Sequence, residues 1–237
     1  MKELELTPRL RAVADLVPHN AALADIGTDH AYLPAWLLGR GQVRRAIAAD
    51  INQGPLDRAK LTAQQYNCTD KMEFRLCDGL AGIAPEEVDT IVIAGMGGET
   101  IAAILQAATW VCNGRYTLIL QPMSAQPDLR GWLWYNGFSI EKEELIREGD
   151  KLYNILVASY GGAIELTAGE EWAGRQYQGM GQPLRSEYLT RLLDKVDRAI
   201  VGISRGKDSL RDPKLAKLQQ VQAELLEMKK EWEAWQR

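Results

Sequence analysis

Three acidic residues stand at the ends of candidate strands, where a parallel sheet would bring them to one edge. Asp25 ends a short apolar run, Asp50 ends the run RAIAAD, and Asp78 follows a third run and precedes a glycine. In open α/β sheets, ligands bind outside the carboxyl ends of the strands, and an acid after the second strand can accept hydrogen bonds from a ribose diol. These residues predict a nucleoside site. The alternatives are helix capping by Asp25 and Asp50 and a plain Asp-Gly turn at Asp78.

The loop after the first strand, DIGTDHAYLP, indicates which kind of nucleoside cofactor would bind. Gly27 lets the backbone turn sharply and approach a ligand closely. The loop has no G-x-G-x-x-G pattern for a pyrophosphate, and its acids Asp25 and Asp29 would repel one. A sulfonium cofactor carries a positive charge and no phosphate. The loop therefore favours S-adenosylmethionine (SAM) over a nicotinamide dinucleotide.

The segment IAGMGG ends the fourth candidate strand, where N-methyltransferases often carry an Asn/Asp-Pro-Pro-aromatic motif that holds the target amine. That side chain is missing here, so backbone groups or Gln121 in the later QPM segment would have to position a substrate. The glycines could instead simply permit close helix packing. The predicted cofactor contacts are Asp25, Gly27, Thr28, Asp50, Ile51, Asp78, Gly79, Gly95 and Met96.

Helices and strands that largely alternate position these residues. Thr7 and Pro8 begin a helix at 8–17, and strands separated by helical patterns follow, which predicts a parallel sheet with helices on both faces. The last two strands are separated only by the polar loop Ile146–Lys151, too short for a parallel crossover, so they should pair antiparallel. Six parallel strands and one reversed strand are typical of SAM-dependent methyltransferases. The predicted fold class is α/β, a doubly wound, Rossmann-like methyltransferase sheet.

Residues 1–162 form the predicted methyltransferase domain, and residues 163–237 follow a different pattern. After an irregular stretch up to Pro183, two long segments carry heptad-like apolar seams on either side of the breaker-rich SRGKDSLRDP. They predict a C-terminal antiparallel helical hairpin, a coiled coil. Residues 185–217 hold nine basic and five acidic side chains in a chain whose net charge is −4. That local excess suits an arm that contacts a polyanion, and dimerisation is the alternative role.

Composition excludes several classes of protein. The 237 residues are 46% hydrophobic and 25% charged, as in soluble globular domains. No apolar run approaches the ~18 residues of a membrane span. The three cysteines have no C-x-x-C spacing and predict no disulfide framework, and two histidines exclude a His-rich zinc site. We therefore expect a cytoplasmic protein without a metal or a membrane anchor.

The combination of motifs is more specific than any one of them. TPRL, DIGTDHAYLP, AADIN, CDGL, IAGMGGETI, LQPM and KLYNILVASYG, followed by a helical hairpin, resemble the bacterial tRNA (adenine-22-N1)-methyltransferase family. The resemblance covers nearly all of residues 1–162 and implies methyl transfer from SAM to N1 of an adenine in tRNA, with no obligate protein partner evident. The alternatives are a SAM-dependent methyltransferase of another substrate and a non-catalytic RNA-binding or scaffold protein.

The implied reaction assigns candidate roles near the target base. Attack by adenine N1 makes a cationic ring that loses a proton from its exocyclic amine, and a carboxylate could take that proton. Asp29 is the catalytic candidate, although it could instead cap a helix or bind the methionine amine of SAM. Tyr32 and Tyr153 could stack on an extruded base, whereas His30 is more readily a structural residue.

Binding of tRNA requires phosphate contacts, which are largely made by Lys and Arg. The substrate-binding set is Arg9, Arg11, Tyr32, Gln121 and Tyr153. Further basic candidates are Arg44 and Arg45 before the second strand and Lys195, Arg198, Arg205, Lys207 and Arg211 along the hairpin.

Overall fold

A seven-stranded sheet in the order β3-β2-β1-β4-β5-β7-β6 forms the centre of the computed structural model, which describes residues 4–205 and 212–236. Neighbouring strands from β1 to β5 pair in parallel, and β7 pairs antiparallel with both β5 and β6. Six strands thus share one direction and β7 is reversed, which confirms the predicted methyltransferase architecture. The strands are β1 Ala21–Ile26, β2 Val43–Asp50, β3 Met72–Leu76, β4 Thr90–Gly97, β5 Thr117–Ser124, β6 Phe138–Glu148 and β7 Lys151–Tyr160.

Helices cover both faces of this sheet. They are α1 Pro8–Leu16, α2 Tyr32–Gly39, α3 Gln53–Gln65, α4 Gly98–Ala107 and α5 Gln126–Tyr135. Alternate residues of β1 point to opposite faces, as a strand requires: Leu23 packs with α1 to α3, and Ala24 packs with α4 and α5. The sheet is therefore doubly wound. Thr7 caps α1 through a 3.4 Å hydrogen bond from the Leu10 backbone, as its sequence predicts.

The β6–β7 hairpin is antiparallel as predicted, but the predicted loop 146–151 is wrong in extent. Strand β6 continues to Glu148, which pairs with Lys151, and the turn consists only of Gly149 and Asp150. Gly149 adopts a left-handed φ of 58° that glycine tolerates without steric cost. The polar character of the segment reflects a strand with one exposed face, not a loop.

A short helix, α6 Ala168–Ala173, interrupts the stretch predicted to be irregular. Thr167 and Glu170 form a capping box, in which each side chain accepts a hydrogen bond from the other residue's backbone. The pattern Thr-x-x-Glu was present in the sequence. The neighbouring glycines concealed it, because a six-residue helix has too few positions to show a period.

The C-terminal arm, residues 163–237, contains α6 and two long helices, α7 Arg185–Ser204 and α8 Pro213–Trp235. One apolar cluster contains side chains of both helices together with Ala173 of α6 and Leu145 of β6. A hydrogen bond of 2.6 Å from Gln222 to Asp197 links the two helices further. The arm therefore packs as a helical hairpin on the edge of the sheet, while its description as a coiled coil stays a prediction.

Candidate cofactor and substrate site

A cavity of about 820 Å³ opens at the carboxyl ends of β1 to β4, with α4 as one wall. We call it the cofactor cleft. Six of the nine predicted cofactor contacts line it: Gly27, Asp50, Ile51, Asp78, Gly79 and Met96. The other three lie beside it, in the same strands or loops. The sheet thus brings the predicted residues to one edge because parallel strands all end there.

Gly27 makes the turn that opens the cleft. Its φ of 74° lies in the left-handed region, and a Cβ there would stand 2.0 Å from Cε of Met96. The backbone amides of Gly27 and Thr28 both donate to the carbonyl of Ala49, at 2.8 and 3.0 Å. The loop after β1 is therefore tied to β2 by its own backbone, and its left-handed turn favours glycine.

Asp25 lies at the base of this loop and is 8% exposed. Burial raises the pKa of its carboxyl to about 6, the nearby Thr28 hydroxyl partly offsets this, and the negative charge of Asp50 adds to the rise. Thr28 Oγ1 is itself buried. Among the described residues, no group lies in position to complete a hydrogen bond with it. A buried hydroxyl beside a buried acid suits a ligand that brings both a donor and a positive charge.

The cleft wall combines acids with apolar side chains. Asp50 is half-buried and accepts a 2.7 Å hydrogen bond from the Asn52 backbone. Ile51 beside it is 62% exposed, and Ile104 of α4 lines the opposite wall. Asp78 is exposed at the end of β3. Carboxylates for a diol and an amine, with apolar surface between them, fit a nucleoside that has no phosphate.

A second group of predicted residues meets beside Gly95, where β4 and β5 end. Gln121 is fully buried, and its Oε1 accepts from Arg9 Nη1 at 2.6 Å and from the Gly95 amide at 3.1 Å. Its Nε2 donates to the Pro122 carbonyl at 3.0 Å. The Arg9 guanidinium lies 5.6 Å from the ring centroid of Tyr153. Gln121 therefore holds Arg9 and Gly95 in place, and we call Arg9, Gly95, Gln121 and Tyr153 the Arg9 cluster.

Asp29 lies beyond the cleft lining. Its side chain is 67% exposed, forms an ion pair with Arg58 of α3, and stands 3.5 Å from Nε2 of His30. The rings of His30 and Tyr32 stack at 5.0 Å with an angle of 4° between their planes, and Tyr32 is 42% exposed. The loop after β1 thus carries an acid, an imidazole and an exposed aromatic ring close together at the protein surface.

Arg11 is separate from the Arg9 cluster. Its guanidinium lies 4.6 Å from the Trp36 ring centroid and pairs with Asp15 at 2.9 Å. Arg44 and Arg45 belong to β2 itself, not to the segment before it, and they contact groups at the amino ends of the strands, such as Asp89. These two arginines therefore lie at the end of the sheet opposite the cleft. Lys195, Arg198 and Arg205 belong to α7 and its end, whereas Lys207 and Arg211 lie outside the described residues.

Several site residues were not predicted from the sequence. Arg58 pairs with Asp29 although 29 positions separate them, and Thr100, Ile104 and Trp110 line the cofactor cleft. Their residue types carry no signal of binding. Only the topology could have indicated them, since the helix after β4 must run along the cleft.

Metal and membrane features are absent from residues 4–205 and 212–236. No group of three or more His, Cys, Asp or Glu side chains there could hold a metal ion. None of the described helices combines the length and hydropathy needed to cross a bilayer. All three cysteines are free thiols.

Comparison with known proteins decides the family. A family model described as a methyltransferase domain matches residues 6–156. The tRNA (adenine(22)-N(1))-methyltransferase of Bacillus subtilis (strain 168) is 40% identical over 161 residues, which are 68% of this chain and 68% of the relative. The chain belongs to the tRNA (adenine(22)-N(1))-methyltransferase family. This confirms the resemblance drawn from the motifs.

Solved structures of the same family share the whole architecture, including the arm. The B. subtilis m1A22 tRNA methyltransferase TrmK is 32% identical with a TM-score of 0.85, over 96% of this chain and 100% of that one. Streptococcus pneumoniae Sp1610 in complex with S-adenosyl-L-methionine is 33% identical with a TM-score of 0.78, over 92% and 100%. The methyltransferase fold is therefore shown, and the helical C-terminal part is consistent with these relatives.

Proposed function

We propose that this protein transfers a methyl group from SAM to N1 of adenine 22 in tRNA. The observation that carries the proposal is the position of Gly95 and Met96 on β4. Met96 lines the cofactor cleft, and Gly95 belongs to the Arg9 cluster. One short backbone segment thus separates the cofactor cleft from a polar cluster, and methyl transfer requires donor and acceptor to lie this close together. Membership of the family gives the substrate.

The residues of the cleft fit SAM, which supplies an electrophilic methyl group on a positively charged sulfur. In this proposal Asp50 accepts hydrogen bonds from the ribose diol and Asp78 accepts one from the adenine amine. Ile51 and Gly79 flank the adenine, and the buried Thr28 hydroxyl and Asp25 face the methionine end. The negative charge of Asp25 and Asp50 favours the cationic cofactor over its neutral product, which helps product release.

The target adenine would enter between the loop after β1 and the Arg9 cluster. Asp29 is proposed to accept the proton that leaves the exocyclic amine, which requires its carboxylate to part from Arg58. Tyr32, in the loop after β1, and Tyr153, in the Arg9 cluster, are proposed to offer rings on which an extruded base could stack. Gln121 contributes indirectly, because its amide already holds Arg9 and Gly95.

Contacts to the rest of the tRNA are proposed for Arg9, Arg11 and the arm formed by residues 163–237. The methyltransferase domain, residues 1–162, would then provide the chemistry and the arm most of the phosphate contacts. We propose that tRNA is its macromolecular partner and that the protein acts in the cytoplasm.

Methyl transfer from labelled SAM to unmodified tRNA tests the proposal, with product nucleosides separated by mass. We expect N1-methyladenosine that disappears when adenine 22 of the tRNA is replaced. Asp29→Asn should lower kcat while leaving SAM affinity unchanged. Incorporation into a different nucleoside or molecule would show that the substrate is wrong. Absence of both incorporation and SAM binding would favour a non-catalytic scaffold.

A further inference from the structure

A second cavity, of about 490 Å³, lies between α5 and the arm, outside the cofactor cleft and the Arg9 cluster. We call it the lysine cleft. Two tryptophan rings and three lysines line it, together with residues of all four surrounding helices: Ala125, Pro127, Asp128, Gly131, Trp132, Glu171, Trp172, Lys195, Lys214, Lys217, Leu218 and Val221. None of these residues has a part in the cofactor site described above.

One end of the lysine cleft lies at the same edge of the sheet as the cofactor cleft. Ala125, which lines it, directly follows β5 and begins α5 with a left-handed φ of 52°. Gln121 of the Arg9 cluster lies four residues earlier in the same strand, roughly 13 Å away at the rise of a β-strand. A polymer that reaches the Arg9 cluster is therefore within one or two monomer lengths of the lysine cleft.

A fully buried arginine fixes the shape of the lysine cleft. Arg130 of α5 donates to the carbonyls of Glu171 and Trp172 at 3.0 and 3.1 Å, and pairs with Glu143 at 2.7 Å. These bonds hold α6, and with it the Trp172 ring, against α5. The aromatic wall is therefore preformed, which lowers the entropic cost of binding a ligand there.

The charges in the lysine cleft favour an anion. Lys217 stands 3.8 Å from Glu171, while Lys195 lies 5.4 Å over the Trp172 ring and Lys214 is exposed at the start of α8. Neither Lys195 nor Lys214 has an ion-pair partner among the described residues. The lining contains three lysines and two acids, Asp128 and Glu171, so the lysine cleft carries a net positive charge although the net charge of the whole chain is −4.

We propose that the lysine cleft binds a tRNA phosphodiester, with the attached nucleotide against the Trp132 and Trp172 rings. Lysines supply the phosphate contacts, and aromatic faces supply stacking that tolerates any base. This inference rests on the proposed function and assigns part of tRNA recognition to a cleft shared by the sheet domain and the arm. The cleft requires both parts, since α5 belongs to the sheet domain and α6, α7 and α8 belong to the arm.

The test compares Lys214→Ala/Lys217→Ala with Lys229→Ala/Lys230→Ala in the full-length protein. Both pairs lie on α8 and remove two charges, but the control pair lies about 21 Å further along the helix. For each variant, tRNA affinity is measured over a range of salt, and kcat, KM for tRNA and SAM affinity are measured separately. In the cleft variant we expect weaker tRNA binding and a salt-dependence slope reduced by about 1 per lysine that contacts a phosphate. KM for tRNA should rise while kcat and SAM affinity stay unchanged.

The outcomes separate this inference from the proposed function. Suppose the two variants have equal tRNA affinity and equal salt slopes while the wild type still methylates adenine 22. This result would leave the proposed function intact and overturn tRNA binding in the lysine cleft. Equal losses in both variants would show a diffuse effect of charge along α8, and would also overturn it. A wild type that does not methylate tRNA would overturn the proposed function itself. Thermal unfolding of both variants should match the wild type, since all four lysines are at or near the surface.

Discussion

Asp25 and Asp50 end neighbouring strands, yet their surroundings give them different properties. Asp50 is half-buried, borders the cofactor cleft and already accepts one backbone hydrogen bond. Asp25 is almost fully enclosed and its pKa is raised to about 6. Asp50 is thus placed for direct hydrogen bonding to a ligand in the cleft, whereas the proposed role of Asp25 is exerted mainly through its charge.

Asp50→Ala should weaken SAM binding without unfolding the protein. A hydrogen bond to a charged group contributes about 1.5–3 kcal/mol, so the loss should be roughly tenfold or more in Kd. Calorimetric titration of SAM measures it. Asp57→Ala is the matched control, because Asp57 is an exposed acid on α3 that contacts Gln53 and Lys60 instead of the cleft. Equal affinities in the two variants would contradict the assignment of Asp50 to the ribose.

Asp25→Asn should stabilise the protein at neutral pH. The folded-state pKa of Asp25, about 6, lies above its ordinary value of 3.8. Its protonated form therefore favours folding below about pH 4, and this contribution is lost as pH rises through 6. Above pH 6, the buried Asp25 carboxylate therefore lowers the free energy of unfolding by about 3 kcal/mol. Urea unfolding of both proteins from pH 4 to 8 should show the variant's advantage growing over that window.

The same substitution should weaken SAM binding and remove part of its pH dependence. A carboxylate near a cationic ligand attracts it, so wild-type affinity should fall as pH drops below about 6 and Asp25 becomes neutral. The Asp25→Asn variant should bind SAM more weakly than the wild type, and its SAM affinity should change less with pH over that range. A variant that matched the wild type in both stability and affinity would show that Asp25 is neither buried as an anion nor close to the cofactor.

At the scale of elements, the two glycines where β4 passes into α4 affect how closely α4 approaches the β5–α5 connection. A Cβ at Gly98 would stand 2.3 Å from the Ala125 backbone carbonyl oxygen, which cannot rotate away. A Cβ at Gly97 would instead stand 3.2 Å from Oγ of Ser124, which can. Close helix packing, one of the two roles considered for this segment, therefore applies to Gly98.

Gly98→Ala should cost about 1–3 kcal/mol of folding free energy, the usual range for overpacking. It should also weaken SAM binding, because α4 carries Thr100 and Ile104 of the cofactor cleft. Gly97→Ala is the adjacent control and should be close to the wild type in both properties. Denaturant midpoints and SAM titrations measure the two effects. A larger effect at Gly97 than at Gly98 would contradict this account of the packing.

Elements were predictable from the sequence where the local pattern and the tertiary environment agree. The buried strand β1 and the capped helix α1 are such cases. The antiparallel direction of β7 was predictable from the short connection between β6 and β7. The β6–β7 turn and α6 were not predicted correctly, because the first has polar strand ends and the second is too short to show a period. In the site, the strand-end acids were predictable, since topology alone brings them together.

Side-chain partnerships within the site could not be predicted in the same way. Asp29 pairs with Arg58, and Gln121 with Arg9, across separations of 29 and 112 positions. Such contacts depend on the rotamers and the orientation of whole helices, about which a single sequence carries no signal. This is why Gln121 was predicted as a substrate contact, whereas in the structure it holds Arg9 and Gly95.

At the scale of the whole molecule, a buried polar network joins the sheet to the arm. Arg130 of α5 bonds Glu143 of β6, Asn154 of β7 and two carbonyls of α6. Asn154 in turn donates to the Tyr188 hydroxyl of α7 at 3.0 Å. Residues 1–162 alone would leave these buried groups without partners, so we expect the boundary at 162 to divide the chain in sequence but not in folding.

Arg130→Met tests this coupling. The substitution leaves the Glu171 carbonyl and the Glu143 carboxylate without their donor, and losing one member of a buried pair costs about 3–5 kcal/mol. Because the network spans both parts, hydrogen exchange should accelerate together in β6, β7 and α7. Arg147→Met is the control. The Arg147–Glu187 pair also joins β6 to α7 but is exposed to solvent, so this substitution should change stability little.

Faster hydrogen exchange confined to α6–α8, with unchanged exchange in the sheet, would mean that the arm and the sheet fold independently. The lysine cleft would then be a contact between two mobile parts instead of a preformed site.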